Sequence, residues 1–270
     1  MKSINVFSVL LLSLCFQTVN AQQWRTDRYD SRWLPITDKE TAREVRVFSS
    51  NRDAVSLYRL YDRARYQHKE PSYFSTLQEM RRKEPKNGVV LATYCAVLMD
   101  ANQMYGFGQY RFKAEPGEGS VQNIERNLAV AKKLEPKLWL ILLTEADIAD
   151  FSNGNELEGT QNAVELCREA VKLAPTLSYT QQRLGYWLVN YAHKRRLPCA
   201  EAVKSYKKAQ MLRPINCDAS FLLMNVYRYY EPNPSQARKT AQAVLATIPP
   251  NVKLDAKMRQ FLLKQGITLP

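Results

Sequence analysis

A four-residue signature that returns five times limits what this chain can fold into. Ala202, Tyr206, Ala209 and Pro214 mark one copy, inside AEAVKSYKKAQMLRP, and Ala163, Cys167, Ala170 and Pro175 mark another. The same offsets recur at Tyr73, Leu77, Met80 and Pro85, at Ile124, Leu128, Ala131 and Pro136, and at Ala237, Ala241, Val244 and Pro249. Steps of four and then three residues stack side chains on one face of an α-helix, and the residue before a proline is driven out of helical backbone, so the helix stops there. Each interval between prolines leaves room for a second helix. Tyr94, Cys95 and Leu98 follow Pro85; Leu184, Gly185 and Leu188 follow Pro175; Leu223, Met224 and Tyr227 follow Pro214; and Leu60, Tyr61 and Ala64 hold the same place ahead of Tyr73. A small or adaptable residue at the middle position lets two helices approach closely. The expected unit is two antiparallel helices, and the expected fold class is all-α, an α-solenoid of about five pairs with a closing helix.

Paired helices with a period of roughly 34 residues resemble the tetratricopeptide repeat, whose outline is W-x2-L-G-x2-Y in the first helix and A-x3-F-x2-A-x4-P in the second. QQRLGYWL at 181–188 keeps the Leu-Gly pair, with Gln181 and Leu188 in place of the tryptophan and tyrosine, and AVKSYKKAQMLRP fits the second half with Tyr206 for phenylalanine. The resemblance covers about residues 54–249 and implies a right-handed superhelix whose first helices line a concave groove. One departure leaves the helix register near 139–151 open, because Glu145 stands where a large apolar residue belongs.

Counted from each proline, the resemblance implies groove residues Tyr58, Arg59, Asp62, Arg65 and Tyr66, then Thr93, then Thr144, Asp147, Asp150 and Phe151. Tyr179, Gln182, Arg183, Tyr186 and Asn190 follow, with Phe221, Asn225, Arg228 and Tyr229 last. Tyrosine and arginine are common binding hot spots, so Tyr58, Arg59, Tyr66, Asp147, Tyr179, Arg183, Tyr186, Asn190, Asn225, Arg228 and Tyr229 are the candidate site for a peptide or protein partner. The family's binders of chaperone tails hold a terminal carboxylate with basic and amide side chains. Tyr58, Asp62, Thr93, Leu140 and Thr144 occupy those places here, which leaves Arg183 with Asn190, or Asn225 with Arg228, as self-contained clamps.

Outside the repeats, MKSINVFSVLLLSLCFQTVNA has Lys2, an apolar run from Val6 to Phe16 and a small-residue exit at Ala21, the pattern of a cleaved export signal over residues 1–21. Leu14 ahead of Cys15 disfavours a lipid anchor, and the apolar stretch LWLILL at 138–143 is far shorter than the ~20 residues a membrane span needs. The expected location is periplasmic or secreted. Residues 22–53, with Trp24 and Trp33, form a partly ordered arm, and 250–270 a closing helix and tail. The insertion at 103–119 breaks helical periodicity with Gly106, Gly108, Pro116, Gly117 and Gly119. Its Tyr105, Phe107, Tyr110 and Arg111 either cap the repeat core or make a second candidate site.

The net charge of +13 supports an alternative reading, a binder of anionic envelope polymer or lipid headgroups, while export disfavours nucleic acid. Catalytic chemistry has little to work with. The chain has two histidines and no G-x-S-x-G, H-E-x-x-H or phosphate-loop motif, so the expectation is a non-enzymatic protein with no cofactor and no metal. Asp147 and Asp150 share a helix face inside the acidic stretch TEADIADFSNGNELEG, but their order does not match a calcium loop. That stretch reads better as a patch that docks basic side chains from a partner or another copy of this protein. Cys199 and Cys217 flank a helix that holds them ~20 Å apart, beyond the ~7 Å a disulfide tolerates, and Cys95 and Cys167 fall at buried repeat positions, so buried thiols are expected.

Overall fold

The computed structural model describes residues 38–66, 70–105, 114, 116–152, 157–213, 217–246 and 263, and every regular element among them is helical. The helices are α1 (Asp38–Ser50), α2 (Ala54–Tyr66), α3 (Glu70–Lys83), α4 (Gly88–Tyr105), α5 (Val121–Leu134) and α6 (Trp139–Ser152). They continue as α7 (Leu157–Leu173), α8 (Ser178–Arg195), α9 (Ala200–Leu212), α10 (Cys217–Asn225), a π-helical turn (Val226–Tyr230) and α11 (Pro234–Ala246). The signature helices are α3, α5, α7, α9 and α11, and each pairs with the helix before it. First helices α2, α4, α6, α8 and α10 also pack on one another in order, which is the stacking of an α-solenoid. The expected export signal (1–21) and the expected closing helix (252–265) lie outside the described residues apart from the exposed Leu263.

Burial follows the signature. Tyr73, Leu77, Ile124, Ala131, Ala163, Cys167, Ala170, Ala209 and Ala241 are fully buried, as the shared helix face requires. The helix ends repeat as closely as the faces do. The carbonyls of Met80, Ala131, Ala170 and Ala209, one repeat position in four copies, accept the amides of Glu84, Glu135, Ala174 and Arg213 at 2.8, 2.8, 3.0 and 3.0 Å. Beyond three of these ends the amides of Asn87, Leu138 and Leu177 bond back over the proline to Glu84, Glu135 and Ala174 at 3.0–3.1 Å. A single turn thus reverses the chain three times, and the proline sits where no amide hydrogen is needed. Pro136, Pro175 and Pro214 are spaced more widely than ~34 residues because first helices such as α8, with 18 residues, are long.

In three of the five pairs the middle position of the first helix holds a small side chain. A Cβ placed on Gly185 of α8 would lie 2.6 Å from Cε1 and 2.7 Å from Cδ1 of Tyr206, a ring that is itself buried in α9. Cys95 and Ala146 hold the corresponding places in α4 and α6 and are fully buried. Ala146 settles the register that Glu145 left open: the carboxylate turns aside to Lys132 Nζ at 2.7 Å, and the small residue still faces the partner helix.

The end of the 22–53 arm is α1, which lies on α2 and α3 and closes the stack with Phe48, whose ring meets Tyr73 edge-on at 5.3 Å. Gly117, at φ 80°, turns the chain into α5, and Glu118 beside it accepts from Tyr94 and pairs with Arg81. The guanidinium of Arg81 also lies 4.3 Å above the Tyr94 ring, so the far end of the 103–119 insertion is fastened to α3 and α4. Cys95, Cys167 and Cys199 are buried free thiols; burial pushes Cys95 and Cys167 up to about 12, so they stay protonated. The side chain of Cys217 lies outside the described residues.

Replacing Gly185 with alanine forces a methyl group into the Tyr206 ring. Overpacking of this kind costs about 1–3 kcal/mol, and the helix propensity gained returns at most ~1 kcal/mol. The urea midpoint of Gly185→Ala is therefore expected to fall, while Tyr186→Ala, one residue along on the open face, shifts stability by roughly 0.5 kcal/mol or less. An unchanged midpoint for Gly185→Ala would show that α8 and α9 are farther apart than described.

Candidate ligand-binding groove

The groove candidates divide into an inner set whose members bond to one another and an outer set left facing solvent. In the inner set, Tyr58 of α2 and Tyr179 of α8 meet with ring centroids 5.0 Å apart, although they come from the first and fourth helix pairs. The Tyr179 hydroxyl donates to the Tyr58 oxygen at 2.8 Å, and Tyr58 donates in turn to Asp100 Oδ2 at 2.5 Å. Trp139 closes edge-on against Tyr179 at 5.9 Å. One helical turn farther along α8, Arg183 forms an ion pair with Asp147 of α6. Side chains from four first helices therefore meet across the groove.

This hub is electrostatically tense. Burial pushes the Asp147 carboxyl up, to about 7; Arg183 opposes that and Asp100 reinforces it. Burial likewise works against the Arg183 charge, yet Asp147, backed by Tyr179, Tyr58 and Asp100, holds the guanidinium more firmly protonated than usual. Arg183 Nε and, one turn on, Trp187 Nε1 are buried donors with no acceptor among the described residues. Arg183 is thus committed to Asp147 through one face of its guanidinium and keeps a spare donor.

The outer set lies toward the C-terminal end of the groove. Tyr186 is 39% exposed and Tyr229 62% exposed, and each carries an arginine over its ring, Arg183 at 5.3 Å from Tyr186 and Arg228 at 4.9 Å from Tyr229. Asn190 and Asn225 are half-buried between them in sequence, and Tyr230 packs edge-on against His193 at 5.5 Å. The π-helical turn carries Arg228, Tyr229 and Tyr230; such turns widen the helix locally and recur at functional sites. Arg59 is half-buried on α2. Tyr66 and Tyr105 fall within helices but their side chains lie outside the described residues, as do Phe107, Tyr110 and Arg111 altogether.

Asp100 escaped the sequence reading although a signal existed. It is the lone charged residue of helix α4, and it holds, after Pro85, the place that Asn190 holds after Pro175 and Tyr229 after Pro214. The acidic stretch also differs from expectation, because its cations come from this chain: Asp147 takes Arg183, Glu145 takes Lys132, and Asp150 accepts from Thr160 at 2.9 Å and Lys194 at 3.3 Å. Among the described residues no group of three or more His, Cys, Asp or Glu could hold a metal ion, and no helix is long and apolar enough to cross a membrane.

Removing one member of the buried pair strands the other. Asp147→Ala is expected to cost about 3–5 kcal/mol by leaving Arg183 charged and unpaired, whereas Asp147→Leu combined with Arg183→Met recovers most of that loss. Urea titrations of the two single variants and the double variant supply the coupling energy; additive losses would mean that the two side chains do not interact.

No protein-family model matches the sequence, and no curated protein matches it. Among solved structures, TTC0263, a thermophilic TPR protein of Thermus thermophilus, overlaps this chain with a TM-score of 0.55 at 13% identity, over 83% of this chain and 98% of that one. Weaker likenesses are a chain of the APC/C hetero-tetramer Cut9–Hcn1 (TM-score 0.42, 13% identity, 89% of this chain and 47% of that one) and a MamA protein (TM-score 0.38, 12% identity, 80% and 98%). At such identity the first overlap speaks for the fold alone, and it agrees with the proline-ended helix pairs and the Gly185–Tyr206 approach. This chain has the tetratricopeptide-repeat fold, an all-α solenoid of helix pairs.

Proposed function

We propose that this protein is an exported, non-catalytic scaffold that holds a peptide or protein partner at the C-terminal end of its concave face. The observation that carries the reading is the pair of exposed tyrosines, Tyr186 and Tyr229, on successive first-helix segments, each with a guanidinium over its ring. An aromatic ring braced by an arginine offers apolar area in a fixed orientation, and it loses little conformational entropy on binding. The hub around Tyr58, Tyr179 and Arg183 forms the closed floor of that site, its hydrogen bonds made within the chain. Export rests on the leader-like residues 1–21, and the non-catalytic reading on buried, protonated thiols and the scarcity of histidine.

A photo-reactive phenylalanine analogue at 186 or 229 of the full chain tests this in living cells. Crosslinking to the same discrete polypeptide from both positions is expected, with none from position 172 on α7. Tyr186→Ala and Tyr229→Ala should each weaken retention of that polypeptide about tenfold, with little change in melting temperature. Retention should also survive high salt, because counterion release governs only the competing anionic-polymer reading. Capture by position 172 alone, or retention that collapses with salt, would overturn the groove as the site. Export predicts a mature protein beginning at Gln22, read by mass spectrometry of the secreted or periplasmic fraction.

A further inference from the structure

The outer face of the solenoid carries a second feature that the concave site does not use. Helices α7 and α9 both pack on α8 and leave a furrow of about 830 Å³ between them. Its apolar lining is Leu184 from α8, Val171 from α7 and Val203 from α9, beside Gln181 and Ser205, which bond to each other at 3.1 Å. Met211, 74% exposed, extends the apolar strip to the end of α9. Methionine adapts its shape to different apolar partners.

Charge on this furrow is one-sided. Lys204, Lys207, Lys208 and Met211 fall at i, i+3, i+4 and i+7, so the three ammonium groups line one bank of the furrow with the methionine. None of the three lysines has an ion-pair partner among the described residues. The nearby acids are already engaged: Glu201 takes Arg168 at 2.9 Å, in a bridge that ties α7 to α9, and Glu169 takes Lys172 at 2.5 Å. What remains is an apolar strip beside an uncompensated row of positive charge.

We propose that this furrow is a docking site for an acidic amphipathic helix, distinct from the concave groove. Such a helix lays leucine-like side chains against Leu184, Val203 and Met211 and brings carboxylates to Lys204, Lys207 and Lys208, the helix-in-groove mode of recognition. The two banks are themselves helices, so the furrow runs along their length and matches an elongated guest. The lysines set orientation and encounter rate; the apolar strip supplies the burial. A partner held here leaves the concave face free, so the protein can hold two guests at once.

The probe is a fluorescein-labelled helical peptide of about four turns, leucines on one face and glutamates on the other, added to the full mature chain and followed by fluorescence anisotropy. Binding is expected, and it should weaken at least tenfold in the combined variant Lys204→Glu, Lys207→Glu, Lys208→Glu. Met211→Lys separates burial from bare attraction. It adds positive charge, so it should strengthen a purely electrostatic complex, whereas docking on the apolar strip requires that it weaken binding. All four positions are exposed or rim side chains, and melting curves by circular dichroism confirm that the variants fold. No binding at about 1 mM peptide, equal binding when serine replaces every leucine, or tighter binding to Met211→Lys would overturn the proposal. Loss of the peptide on Tyr229→Ala would overturn it too, by placing the guest in the concave groove. Vesicles of phosphatidylglycerol and phosphatidylcholine that depend on the same lysines when the peptide does not bind would assign the furrow to a lipid surface instead, which also overturns it.

Discussion

A solenoid of this kind depends on how closely its paired helices can approach, and in three of the five pairs here a small side chain holds the middle position of the first helix. Gly185 against Tyr206 is the closest instance, with no room for even a methyl group. Cys95 and Ala146 do the same work with slightly larger groups, and the helices around them bury their signature faces completely. Interdigitation of small and large is what lets an array of short amphipathic helices reach interior packing density without a single large core. The buried thiols follow from this requirement: cysteine is a small apolar residue here, and Cys95 and Cys167 need no reactive role to explain their places.

On that stack the concave face is closed at one level and open at another. Tyr58, Asp100, Asp147, Tyr179 and Arg183 bond to one another across the groove, so most of their hydrogen-bonding capacity is used within the chain. Beyond them the face opens onto Tyr186 and Tyr229, where the rings remain accessible. Polar residues lining a groove can therefore serve either as structure or as recognition, and their burial separates the two. The same division applies to charge: Glu145, Asp147 and Asp150 are matched by Lys132, Arg183 and Lys194, while Lys204, Lys207 and Lys208 have no ion-pair partner among the described residues.

Much of the fold was legible because the repeat is a local signal. The spacing of Ala202, Tyr206, Ala209 and Pro214 already specifies a helix, its buried face and its end, and the described turns after Pro85, Pro136 and Pro175 follow one hydrogen-bond pattern. Leu-Gly at 184–185 likewise announced the partner of Tyr206. The hub was not legible as a hub. Its members are individually visible as groove positions, but Tyr58 and Tyr179 are joined only by the curvature of the whole stack, a sum of small rotations that no single motif encodes. Glu145 misled for a related reason: at its position the sequence shows a carboxylate where an apolar group belongs, and only the placement of Lys132 on α5 explains how it is tolerated.

The contact between Tyr58 and Tyr179 has a mechanical consequence. An open solenoid stretches like a spring, because each coil touches only the next and strain spreads evenly along it. Here a clasp joins the first coil to the fourth, and the Arg183–Asp147 pair reinforces it from the third. Pulling on the ends must break the clasp before the coils between can extend, so the segment from α2 to α9 resists as one stiff body. The helices beyond it, α10 and α11, lie outside the clasp, and elastic bending of the array is concentrated where they join it, close to the π-helical turn and its exposed tyrosines.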